Sequence, residues 1–286
     1  MSRSVGLAEL IEDYILYRSL AESSAYQLDR SARLLEEWLE RPASIADFND
    51  RTVSQFLLAI ETEKAQRTAA NHRTNILCLW RYAADEKLCS PPHRVRKVTR
   101  PDPCPIAWTA DELEKIITQC GQLIGKFRFR SVPRALYCST LLKFCYESGL
   151  RRSDVWKIKR EMIRPDGSIV LRQTKTKRTH TPRILDDTLA AINALPDELP
   201  LACPYRSTGD WYIFWKNQVT SKSGVRHGAL QQIRRSGATH LAIKHPEAVQ
   251  RYLGHRTPTM QRYYIDESIA RPQQFLPPPI NFKPAA

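Results

Sequence analysis

The feature that most constrains this chain is a break in its helical patterning. Residues 90–105, SPPHRVRKVTRPDPCP, hold five prolines together with His93, Arg94, Arg96, Lys97 and Arg100. Proline fixes its own φ, lacks an N–H donor and pushes the residue before it away from helix. The run therefore predicts an extended segment between two separately folded parts. It suits either a linker lying along a nucleic-acid backbone or a purely structural connector. Upstream of it, apolar residues recur at helical spacing. Leu7, Leu10, Ile11, Tyr14 and Ile15 mark a helix over 7–20, and Leu28, Ala32, Leu35 and Trp38 mark a second over 24–39. After a loop at 41–50, helices are predicted over 52–61 and 67–86. The polar side of the last carries Asn71, His72, Arg73, Asn75 and Arg81, which suits either phosphates and base edges or plain solvent.

Downstream the texture changes. Thr109-Ala-Asp-Glu112 spells a capping box ahead of Leu113, Ile116 and Ile117, and a helix follows over 133–147. Arg164-Pro-Asp-Gly167 reads as a turn into the β-rich stretch 168–174, and 179–185 is a second extended run. Together they predict a small antiparallel sheet with its tip near 175–178. Helices are expected again over 187–195, 210–219, 229–244, 246–253 and 257–265, and 270–286 reads as irregular.

Composition narrows the functions available. There are only 10 glycines, with no G-x-G-x-x-G and no G-x-x-x-x-G-K-[ST], so neither nucleotide fingerprint is present. The longest stretch free of charge, 272–282, is broken by prolines and falls short of the ~20 apolar residues a membrane span needs. The acidic start of the chain does not read as a secretory signal. The 7 cysteines have no C-x-x-C spacing, which points to reduced, mostly buried thiols rather than disulfides or zinc. A cytoplasmic, nucleoid-associated protein without a membrane partner is the expectation. The net charge of +14 is unevenly placed: residues 1–100 carry +1 and residues 101–286 carry +13. Such an excess favours a polyanionic partner, of which nucleic acid is the leading candidate.

Four dispersed segments then stand out: Glu147-Ser-Gly-Leu-Arg-Arg-Ser-Asp154, Gln173-Thr-Lys-Thr-Lys177, Gln231-Gln-Ile-Arg-Arg-Ser-Gly-Ala-Thr-His240, and Leu253-Gly-His-Arg-Thr-Pro-Thr-Met-Gln-Arg-Tyr-Tyr264. In that order and spacing they resemble the tyrosine recombinase (phage integrase) family, over nearly the whole chain. SGLRRSD is similar to the family's T-G-L-R-x-S-E, which places its first arginine at Arg151. QQIRRSGATHL is similar to H-x-L-R-H-T-x-A-T-H-L, which places the second at Arg234. Leu253-Gly254-His255 with Tyr264 nine positions later matches the family's L-G-H and tyrosine.

The resemblance implies a mainly α fold with a small antiparallel β-sheet. Residues 1–89 would form a helical, SAM-like core-binding domain, 90–105 the basic Pro-rich linker, and 106–286 an α+β catalytic domain. It implies a site-specific recombinase that cuts and rejoins double-stranded DNA through a 3′-phosphotyrosine link, as a homo-tetramer on paired sites, with no cofactor and no metal. Arg151 and Arg234 would offer forked donors to the scissile phosphate, which lysine does not mimic. Tyr264 would be the nucleophile, Lys175 the general acid for the departing 5′-oxygen, and His255 a phosphate hydrogen-bond partner. Arg73, Arg96, Lys97, Lys177 and Arg235 are further candidate DNA contacts. Lys177 rivals Lys175 on the hairpin. Tyr263 rivals Tyr264, but it would point about 100° away around an α-helix, so only one can face the phosphate.

One position departs from the family pattern. Where the family has histidine three residues before its second arginine, this chain has Gln231. Glutamine donates hydrogen bonds but takes no proton near neutral pH, which implies slower cleavage. His227 lies almost two helical turns from Arg234 and is a poor substitute. Gln231 also leaves open a DNA-binding protein of the same fold with weakened or lost catalysis. A type IB topoisomerase-like enzyme shares the tyrosine chemistry, but the separate small helical domain favours a recombinase.

Overall fold

The computed structural model describes residues 6–102, 104–128 and 131–271. The chain divides into two compact units, Met1–Asp102 and Pro103–Ala286.

Among its described residues the first unit holds four α-helices, α1 (Leu7–Arg18), α2 (Glu22–Leu39), α3 (Asp50–Glu63) and α4 (Gln66–Asp85), with a 3₁₀ turn at Ile45–Asp47. The apolar stripes read from the sequence face inward, with Leu10, Leu35, Val53, Phe56, Leu57, Ile76 and Trp80 all buried. Asn49 starts α3 by accepting the N–H of Thr52 at 2.9 Å, an ordinary N-cap. Part of the polar side of α4 turns inward. His72 is buried against Ser31 at 3.0 Å, and Asn75 donates to Ser31 Oγ at 2.8 Å.

The proline-rich run is extended, as its composition predicts, and its first part is strapped to this unit. Asp50 accepts the N–H groups of His93 and Arg94 at 3.1 and 2.8 Å, and Ser54 accepts that of Arg96 at 2.9 Å. Backbone donors that prolines keep out of a helix are thus satisfied by side chains instead.

The second unit holds α5 (Ala110–Gly121), α6 (Arg134–Ser148), α7 (Arg152–Val155), strands β1 (Leu171–Arg172) and β2 (Thr179–His180), α8 (Asp186–Asn193), α9 (Thr208–Phe214), α10 (Leu230–Lys244), α11 (Val249–Leu253) and α12 (Glu267–Ala270). Its core is built on Trp108, Tyr137, Phe144, Trp211 and Trp215. The expected capping box is present, with Thr109 accepting from Glu112 N at 3.2 Å and Glu112 accepting from Thr109 N at 2.8 Å. Three of the cysteines, Cys120, Cys138 and Cys145, are buried and free, and burial pushes the Cys120 thiol up to about 12. Among the described residues, no helix is long and apolar enough to cross a membrane.

The fold is mainly α with a small antiparallel sheet, as expected, but several segments differ from the sequence pattern, among them the helix expected over 246–253, which begins as a 3₁₀ turn at Pro246–Ala248. The sheet is shorter: only Leu171↔His180 and Arg172↔Thr179 pair as a ladder, flanked by isolated bridges such as Ser168↔Arg183. Pro182 has no N–H to extend it. Another is the helix expected over 210–219, which runs as α9 and then widens into a π-helical stretch, Trp215–Thr220. Finally, the helix expected over 257–265 is instead a 3₁₀ segment, Pro258–Tyr263, and Tyr264 leaves it at φ −127°. Tyr263 is thus the last residue of the 3₁₀ turn, and Tyr264 lies beyond it.

Candidate active site

Arg151 is positioned by a helix stop. Helix α6 ends at Gly149 in the left-handed conformation, φ 59°, which glycine adopts without steric cost. Leu150 is then buried and Arg151 caps the start of α7. Arg234 is the one charged residue among the buried residues of α10, which otherwise include Leu230, Ile233, Ala238 and Ala242. It is 0% exposed.

A guanidinium buried this deeply needs compensation. Among the described residues no carboxylate forms an ion pair with it. Two helix ends hold it instead. Its Nη1 donates to the carbonyl of Gly149, at the end of α6, and its Nη2 donates to that of Leu253, at the end of α11, at 2.9 Å. Helix α11 also stops on a left-handed glycine, Gly254 at φ 58°. The C-terminal ends of helices carry partial negative charge, so two glycine stops together house one buried cation. Burial nevertheless lowers the Arg234 pKa to about 10.

His255 follows the second stop. Its Nε2 lies 3.3 Å from Arg234 Nη2. Burial, then the charges of Arg234 and Arg151, push its pKa down to about 4, so the ring is neutral at physiological pH and Nε2 accepts from the guanidinium. The Tyr264 ring stacks obliquely on His255 with centroids 4.9 Å apart, and Arg234 Cζ lies 4.9 Å from the Tyr264 ring centre. Thr239 of α10 donates to the Tyr264 carbonyl at 3.4 Å and accepts from Asp266 N at 2.9 Å, which pins the segment to α10. Burial by itself raises the phenol's pKa. It nonetheless lies below the ordinary tyrosine value because of the positive charges of Arg234 and Arg151 and hydrogen bonds from Gln231 and Arg151.

Arg151, Gln231, Arg234, His255 and Tyr264, scattered over more than a hundred residues, thus converge on one phenol. Beside them lies a cleft of about 360 Å³ whose walls include Arg151, Arg152, Tyr212 and Gln231. Tyr263 is not part of the cluster and pairs with Arg262, at 3.2 Å. His227 is turned to Thr220, at 2.9 Å. Lys175 and Lys177 are both exposed on the hairpin tip, and Lys177 has φ 56°.

The candidate DNA contacts are dispersed. Arg73 Nε donates to the Arg96 carbonyl and Arg96 Nε to Glu61, both at 2.7 Å, so these two arginines tie the strap to α3 and α4. Lys97 is exposed, and Arg235 is half-buried with its Nε lacking a hydrogen-bond partner among the described residues.

Three further residues complete the cluster. Asp154 is buried and accepts Thr174 N at 2.7 Å. Gln173 is 0% exposed, and His180 is buried. An ideal Cβ on Gly254 would stand 2.5 Å from Gln173 Nε2 and 3.0 Å from His180 Nδ1. Sequence reasoning assigned them no role. The only local hint was a glutamine and a histidine at inward-facing positions of the hairpin.

No protein-family model and no curated protein sequence matches the chain. Solved structures do match its fold. A lambda integrase tetramer bound to a Holliday junction superposes with TM-score 0.73 at 18% identity, covering 99% of this chain and 82% of that one. The Tn1549 transposon integrase in complex with circular intermediate DNA gives 0.63 at 14% identity, covering 92% and 95%. The XerH site-specific recombinase bound to palindromic difH substrate, in a post-cleavage complex, gives 0.62 at 17% identity, covering 85% and 74%. The fold is therefore one shared with DNA recombinases and integrases.

Proposed function

We propose that this protein is a site-specific DNA recombinase that cuts and rejoins duplex DNA through Tyr264. The observation that carries the reading is one phenol under the positive charge of two guanidiniums, Arg234 over its ring and Arg151 hydrogen-bonded to it, neither paired with a carboxylate among the described residues. Such an arrangement stabilises phenolate and leaves positive charge for a phosphate that gains negative charge in the transition state. In this reading residues 106–286 carry the chemistry, and residues 1–89 with the basic run 90–105 grip the duplex. Tyr264 Oη bonds to phosphorus as the bond to the bridging 5′-oxygen breaks. The phenol proton passes to solvent, and Lys175 gives a proton to the departing oxygen. His255, neutral, would donate to the phosphate as the tautomer with its N–H on Nε2, the phosphate taking the place of its contact with Arg234. Four copies on paired sites would exchange strands. The lambda integrase tetramer on a Holliday junction supports that assembly by fold likeness.

The test is covalent trapping on a nicked suicide substrate. Wild type is expected to form a protein–DNA adduct and Tyr264→Phe none. An adduct with the Phe variant removes Tyr264 as nucleophile, and no adduct with wild type on any DNA leaves only a binding function.

Gln231 makes a second prediction. Because the cations lower the phenol's pKa, cleavage by wild type rises with pH as Tyr264 deprotonates and levels off above that lowered value. Gln231 contributes no proton transfer of its own. Gln231→His adds a ring nitrogen that can take the phenol proton, so single-turnover cleavage at pH 7 is expected to rise by about 10-fold or more. An unchanged rate and pH profile would mean that removal of the phenol proton does not limit cleavage.

A further inference from the structure

Besides a bond from Arg172 Nε to the Lys177 carbonyl at 2.8 Å, the hairpin tip that carries Lys175 is tied through Gln173. Its N–H donates to the Arg178 carbonyl at 2.8 Å, its carbonyl accepts Lys177 N at 2.9 Å, and its side-chain Oε1 accepts the Thr176 hydroxyl at 2.5 Å. Thr174 is held from outside by Asp154. Every neighbour of Lys175 in the tip is therefore fixed, while the Lys175 ammonium itself makes no hydrogen bond or ion pair among the described residues. The other end of the Gln173 amide is pressed against Gly254, where not even a Cβ would fit, and Gly254 precedes His255. Gln173 is fully buried, and its Nε2 has no hydrogen-bond partner among the described residues. A buried amide left half-satisfied costs more than an apolar residue of the same size, so packing stability alone does not account for glutamine here.

We propose that Gln173 is a positioning residue that sets the reach of Lys175 toward the departing 5′-oxygen by registering the hairpin tip against the Gly254–His255 turn. The inference rests on the recombinase reading above and adds how that site aims its general acid. Tyr264 and the two arginines sit on other elements, so loss of Gln173 should spare bond formation to phosphorus and impair proton delivery.

Leaving-group chemistry separates these effects. In a nicked substrate with sulfur in place of the bridging 5′-oxygen, the phosphorus–sulfur bond breaks to release a thiolate that needs no proton. On ordinary DNA, Gln173→Leu should slow single-turnover cleavage by about 100-fold, the scale of a small misplacement of a catalytic group. On the sulfur-bridged strand it should cleave at the wild-type rate, as should Lys175→Ala. Thr176→Val, an exposed change that removes only the Oε1 bond, should lose about 10-fold on ordinary DNA, the upper end for one hydrogen bond, and nothing on sulfur. It carries the test if the Leu variant does not fold. Equal losses on both substrates, no loss on either, or failure of sulfur to rescue Lys175→Ala would each overturn the proposal. Failure of wild type to cleave either strand would instead overturn the recombinase reading itself.

Discussion

Arg234→Gln is expected to lower single-turnover strand cleavage by about 1000-fold, the upper range for removing one preorganised donor from an oxyanion site. Three losses coincide. In the recombinase reading the phosphate would lose a guanidinium that is already desolvated and held in place by the Gly149 and Leu253 carbonyls. The phenol loses the cation that does most to offset its burial. His255 loses the donor to its Nε2. The sign of the pH effect follows: without Arg234 phenolate is less favoured, the Tyr264 pKa rises, and residual activity moves to higher pH. Arg234→Lys keeps the charge but cannot span two carbonyls with a planar fork, so about 100-fold or more should still be lost. Stability moves less than activity, because the two orphaned carbonyls cost about 1–3 kcal/mol each while removal of an ill-solvated cation offsets part of that. Covalent trapping rates across pH, alongside melting temperatures, measure all of this. Cleavage by Arg234→Gln within about 10-fold of wild type would show that Arg234 is a structural cation and not part of the chemistry.

Much of this arrangement is legible in the chain, for reasons that differ from residue to residue. Arg234 is reached through the likeness of QQIRRSGATHL to the family's second-arginine motif. Arg151 follows a glycine that must end a helix. The nine-residue interval from His255 that the resemblance supplies favours Tyr264 over Tyr263, even though Pro258–Tyr263 is 3₁₀ and not the α-helix its spacing suggested. Pro258 opens that segment, and anchoring of Tyr264 and Asp266 to Thr239 then sets its end. What the chain does not disclose is non-local. His72 looks like part of a solvated polar face until α2 supplies Ser31. Arg73 and Arg96 look available for phosphates until one is found holding the other's carbonyl. Gln173 and His180 acquire meaning only from Gly254, a residue 81 and 74 positions away whose missing Cβ makes room for them.

The same reciprocity between a glycine and a distant side chain predicts the largest stability effect. Gly237→Ala places a methyl 2.0 Å from the Tyr252 hydroxyl oxygen and 2.8 Å from the Tyr146 carbonyl. Gly149 packs close to the same ring, where a Cβ would be 2.6 Å from Cζ. The hydroxyl's bond to the Tyr146 carbonyl, 2.6 Å long, must also break. Alanine is a better helix former than glycine by about 1 kcal/mol, which favours the variant. Overpacking costs about 1–3 kcal/mol and the lost buried hydrogen bond leaves a carbonyl unpaired for about 1–3 kcal/mol more, so the clash wins. A net loss of about 2 kcal/mol corresponds to a fall in Tm of roughly 4–8 °C for a unit of this size. Adding Tyr252→Phe removes the closest atom and should recover part of that loss, giving a favourable coupling in a double-mutant cycle. If Gly237→Ala melts at or above wild type, the ring has room to move and the cost is misjudged. The effect should also reach catalysis. Tyr252 precedes Leu253, whose carbonyl holds Arg234, so a displaced ring disturbs the very acceptor that keeps the guanidinium facing Tyr264.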